Sequence, residues 1–111
     1  MSHKGTSTFV LQRASAVLLV PFVIWFLIGL VTHAGDSFVE MSTWLSQPLT
    51  SILFALFVSI GAFHMRIGMA EIINDYIHSG LRGVLLLLNW LAALCVIGLA
   101  IWSAYQLSFA G

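Results

Sequence analysis

Gly83-Val-Leu-Leu-Leu-Leu-Asn89-Trp-Leu-Ala-Ala-Leu-Cys95-Val-Ile-Gly-Leu-Ala-Ile-Trp102-Ser-Ala-Tyr105-Gln-Leu107 runs without one charged side chain. A helix rises about 1.5 Å per residue, so roughly 20 apolar residues cross the hydrocarbon layer of a bilayer, and this stretch is long enough. Two other stretches read the same way. Ala14 to Thr32 carries no charge between Arg13 and His33. A second run starts near Leu49, after the break at Gln47-Pro48, and stays uncharged to Met65. It continues in a helical pattern through Arg66 and Glu71 to Tyr76. The expectation is an all-α integral membrane protein, one domain over 1–111, with helices over 14–32, 49–76 and 83–107.

Composition points the same way. Of the 111 residues 60% are hydrophobic and 7% charged, against about 25% charged in a soluble domain. Four basic and four acidic residues cancel, and no basic patch exists to follow nucleic-acid phosphates. The single cysteine, Cys95, has no partner within the chain and reads as a packing residue. Thr32-His33-Ala34 loosely fits a signal-cleavage site, but the apolar run before it exceeds the usual core of about 7–15 residues. The first helix is therefore expected to stay uncut.

The basic residues set an orientation. Lys4 and Arg13 precede the first helix, and Arg66 and Arg82 flank the connection between the second and third. The connection Thr32–Pro48 has no Lys or Arg, only Asp36 and Glu40. Basic residues stay on the cytoplasmic side, so the N-terminus is expected inside and the C-terminus outside. Trp44, Trp102 and Tyr105 then fall near the outer interface, which amphipathic rings favour.

Ionisable groups inside a membrane are costly and usually face an interior, a cofactor or a cavity. The second helix holds most of them. At about 100° per residue, Gly68, Glu71 and Asp75 all lie within about 40° of His64, which makes one polar stripe. Gly68 either lets helices pack closely or leaves room for something flat beside the histidine. His64 admits three readings: ligand of a metal or haem iron, proton carrier, or hydrogen-bond partner of a neighbouring helix. A bis-histidine haem site needs a second chain. His78 is roughly 21 Å along a continuous helix, His33 is on the opposite side, and His3 sits in a short polar tail. Arg66 points away from the stripe, and snorkelling to the headgroups is the favoured reading over contact with another subunit. Asn89 is expected to bond across helices.

His64-Met-Arg-Ile-Gly68-Met-Ala-Glu71-Ile-Ile-Asn-Asp75-Tyr76-Ile-His78 resembles the second helix of the smaller membrane anchor subunit of succinate dehydrogenase (complex II). The family pattern is His, three residues, Gly, six residues, Asp-Tyr. Gln12-Arg13-Ala14-Ser15-Ala16 is similar to the family's arginine followed by small and hydroxyl residues. The resemblance implies a helical bundle formed with a second anchor subunit and holding haem b between the two chains. His64 would be one axial ligand of the iron, with Arg13 at a propionate and Ser15 and Gly68 in the same region. It implies Tyr76 at ubiquinone with Asp75 beside it. The implied partners are the larger cytochrome b anchor subunit, an iron–sulfur subunit and a flavoprotein subunit, which would oxidise succinate. The implied location is a bacterial inner membrane, with the C-terminus periplasmic; in the less favoured mitochondrial setting the matrix replaces the cytoplasm. Arg66 and Glu71 depart from the pattern, which has neutral or other polar residues there. Two other classes compete: a small proton-coupled transporter loading protons on His64 and Glu71, and an assembly subunit that touches no cofactor.

Overall fold

The computed structural model describes residues 2–110, with side chains described over 6–110, so those of His3 and Lys4 lie outside the described residues. It is all helix: α1 (Ser2–His33), α2 (Phe38–Ser46), α3 (Pro48–Tyr76) and α4 (Leu81–Ser108). α1, α3 and α4 are each long and apolar enough to cross a membrane. The helix expected to open at Ala14 begins twelve residues earlier by its backbone, at Ser2. Gly5 and the polar residues around it mask that segment in a hydropathy reading.

The connection expected between the first two spans contains a helix of its own. Ser37 caps α2: its Oγ accepts from the Glu40 N–H at 3.2 Å, and Glu40 Oε1 accepts from the Ser37 N–H at 2.8 Å. This reciprocal capping box satisfies two backbone donors that would otherwise be orphaned. Pro48 occupies the first turn of α3, where its missing N–H costs nothing.

α3 is the central element. It packs along α4 on one side and α1 on the other, while α2 lies against the α3–α4 end. α1 and α3 run antiparallel in a register visible in their paired side chains. Phe26 meets Phe54, Phe22 stacks on Phe57, Leu19 lies beside Gly61, Ser15 meets His64 and Gln12 lies beside Gly68. The apolar part of this seam is aromatic. The polar part lies toward the end that carries Arg13 and Arg82, here called the basic end.

The interior is small. Ser15, Thr50, Ser51, Ile67, Ile73 and Ala93 are the buried side chains with a hydrophobic or polar role to place, and half of them carry hydroxyls. Large apolar residues such as Val31, Leu49 and Leu99 are exposed on the outside. In lipid the apolar face needs no cover, and small residues let helices approach closely.

Candidate functional site

The polar stripe of α3 faces α1. His64 is half-buried, and its Nδ1 lies 2.8 Å from Ser15 Oγ. Ser15 is 5% exposed and also donates to the Gln12 carbonyl at 3.0 Å. One turn beyond His64, a Cβ on Gly68 would stand 3.3 Å from Gln12 Nε2. The bare face of Gly68 thus admits the amide of Gln12, which is the close-packing use of a glycine. Gln12 Oε1 is buried without a hydrogen-bond partner. An unpaired buried acceptor is costly.

Toward the basic end the seam opens into a cleft of about 450 Å³ lined by Thr8, Phe9, Gln12, Arg13, Glu71, Asn74 and Asp75. Arg13 lies over the Phe9 ring of its own helix, 5.0 Å from the centroid. Sequence spacing placed Glu71 and Asp75 with His64, and the fold adds Arg13 and Ser15 from α1. It does not bring Tyr76 to them. Tyr76 is one residue, about 100°, around the helix from Asp75. It lines a separate, mostly apolar cleft between α3 and α4 with Met69, Ile72, Ile73, Leu85, Leu88 and Asn89.

Arg66 points away from His64, toward α4. Its guanidinium lies 3.8 Å from the Trp90 ring centroid and 5.3 Å from that of Phe63. A ring face attracts a cation most where water is scarce, so the guanidinium is held against α4. Asn89 Nδ2 donates to the Arg66 carbonyl at 2.9 Å, the cross-helix bond expected of it.

His33 is far from this site in the fold's order of contacts. It stacks on Trp44, with centroids 4.0 Å apart, and its Nδ1 lies 2.6 Å from Asp36 Oδ2. Among the described residues, His64 has no second histidine within hydrogen-bond or stacking contact. Among the described residues, no three His, Cys, Asp or Glu side chains converge as a metal donor set.

The model of the succinate dehydrogenase/fumarate reductase transmembrane subunit family matches residues 1–104. The chain belongs to this family. It is 26% identical over 102 residues to the succinate dehydrogenase hydrophobic membrane anchor subunit of Paracoccus denitrificans, covering 92% of this chain and 79% of that one. It is 25% identical over 89 residues to the same subunit of Rickettsia conorii, covering 78% and 71%. No solved structure matches the chain. The protein is thus a succinate dehydrogenase-type membrane anchor.

Two residues, Gln12 in the candidate seam and Trp90 on the α4 side of α3, were not singled out by the sequence. Gln12 was read only as part of the segment before the first span, although a polar residue three before Ser15 shares its helix face. Trp90 was hidden in an apolar run, and only the level at which α4 meets α3 pairs it with Arg66.

Proposed function

We propose that this chain binds haem b jointly with a larger anchor subunit and forms part of a ubiquinone-reduction site. The observation that carries the reading is His64. Its imidazole sits inside a spanning helix, is held at one nitrogen by Ser15, and meets no second histidine among the described residues. These residues fit a haem that His64 would hold from this chain, with a histidine of a partner subunit completing the site. When bound, the haem supplies a one-electron redox centre.

The chain's own residues have distinct tasks. His64 would contribute a ring nitrogen to the haem iron. Arg13 stands at the mouth of the α1–α3 cleft, where a guanidinium can hold a propionate by paired hydrogen bonds. Glu71 and Asp75 in that cleft give protons a route from the surface. Tyr76 borders the α3–α4 cleft, where its hydroxyl can donate to a quinone carbonyl. Electrons arrive from an iron–sulfur subunit fed by a flavoprotein, both docked at the basic end, which faces the cytoplasm of a bacterial inner membrane.

The test is a reduced-minus-oxidised spectrum of the complex purified with this chain. Wild type is expected to show b-type haem bands, and His64→Ala to lose them while the subunits still copurify. An intact wild-type complex without haem overturns the reading and favours the assembly role or the proton-coupled transporter built on His64 and Glu71.

A further inference from the structure

We infer that Ser15 is a positioning residue that fixes which ring nitrogen of His64 carries the proton, leaving Nε2 with the free lone pair. Its functional meaning rests on the proposed role of His64 as an iron ligand, but the hydrogen-bond argument needs this chain alone. A serine hydroxyl has one hydrogen and two acceptor lone pairs. Ser15 Oγ has two partners, the Gln12 carbonyl oxygen at 3.0 Å and His64 Nδ1 at 2.8 Å. The carbonyl can only accept, so the hydroxyl hydrogen goes to Gln12. The contact with Nδ1 is then attractive only if Nδ1–H donates to Oγ. The reverse arrangement, Oγ–H aimed at a bare Nδ1, would leave two oxygens 3.0 Å apart with no hydrogen between them.

A neutral imidazole carries one ring proton. With that proton on Nδ1, Nε2 is the nitrogen able to ligate. In water the opposite tautomer of histidine is the commoner one, so Ser15 imposes a state that the ring does not choose alone. Ser15 is buried, and water does not compete for its oxygen. Histidines that bind metals donate their other N–H to an acceptor that fixes the tautomer and raises the basicity of the ligand. Here a hydroxyl already committed to its own helix takes that place. Since Ser15 is on α1 and His64 on α3, the state of the ring depends on how these two helices pack.

The test has two readouts. The full chain, labelled with 15N-histidine and held in detergent micelles without haem, gives separate ring shifts for His64 at a pH where the ring is neutral. Wild type is expected to be mostly Nδ1–H, Ser15→Ala to shift toward Nε2–H, and Ser15→Thr, which keeps a hydroxyl, to stay with wild type. Nε2–H in the wild-type chain, or Nδ1–H persisting in Ser15→Ala, overturns the inference. In the assembled complex, a redox titration of the haem bands follows the midpoint potential. Without its acceptor the ring donates less to oxidised iron, so Ser15→Ala is expected to raise the potential and Ser15→Thr to leave it near wild type. A potential unmoved in Ser15→Ala overturns the iron-facing half. A wild-type complex lacking haem instead overturns the proposed function, while the 15N shifts still decide what Ser15 does.

Discussion

Gly29 shows how much one missing side chain can settle. A Cβ there would stand 2.9 Å from two indole carbons of Trp44. The absent methyl lets the α2 indole lie against α1, where it also touches Trp25, Phe54 and the His33 ring. An indole fixed on several sides has no easy retreat, so Gly29→Ala is expected to destabilise the fold by about 1–3 kcal/mol, the usual range for overpacking. Unfolding in mixed micelles followed by tryptophan fluorescence reads it. Tyr76 is exposed and borders its own cleft, so its hydroxyl can be removed without disturbing the packing. Tyr76→Phe is expected to lower quinone reduction about tenfold, the equivalent of one hydrogen bond of about 1.4 kcal/mol. Succinate oxidation with an artificial acceptor should stay normal, and normal quinone reduction would remove Tyr76 from the site.

The helices are joined by different chemistry on the two sides of α3. Toward α1 the seam changes from stacked rings to hydrogen-bonded polar groups within a few turns. Toward α4 the join is made at two levels. Near the basic end Arg66 stacks on Trp90 and Asn89 bonds the backbone of α3. At the opposite end the Ser51 and Ser108 hydroxyls meet, and they also reach the carbonyls of Leu45 and Ser46. Two hydroxyl hydrogens serve three contacts, so either serine can lose its partner and still donate to a carbonyl. A double-mutant cycle of Ser51→Ala and Ser108→Ala is therefore expected to give a modest coupling of about 0.6 kcal/mol, typical of hydrogen bonds between spanning helices. Additive losses would mean that each serine acts through its carbonyl alone.

The described part of the molecule is a row of three spanning helices with α3 in the middle, and a row encloses little. Few side chains are buried, and the histidine of the candidate site is only half covered. Such a shape accepts a second set of helices without opening a core. The basic residues sit unevenly along it: Arg13 and Arg82 lie at one end, beside Glu71 and Asp75, while the other end carries Asp36 and Glu40 and no Lys or Arg. With the basic end inside, a cysteine introduced at Ser79 should react with a membrane-impermeant maleimide only in inverted vesicles, and one at Gly35 only in intact cells. The opposite labelling pattern would reverse the orientation.

Local chemistry in the sequence determined the spanning helices, the polar stripe of α3 and the break at Pro48, since length, hydropathy and helical period need no knowledge of neighbours. His64, Gly68, Glu71 and Asp75 were legible as one face for that reason. The short helix α2 was missed because nine residues fall short of a span, although Ser37 and Glu40 frame a capping box ahead of an amphipathic segment. Only tertiary packing decided what the stripe faces: Ser15 and Gln12 reach it through the antiparallel register of α1, which depends on rings and glycines far apart in the chain. The same packing turned Arg66 onto Trp90 and separated Tyr76 from Asp75, because adjacent residues on a helix point into different grooves once both flanks are occupied.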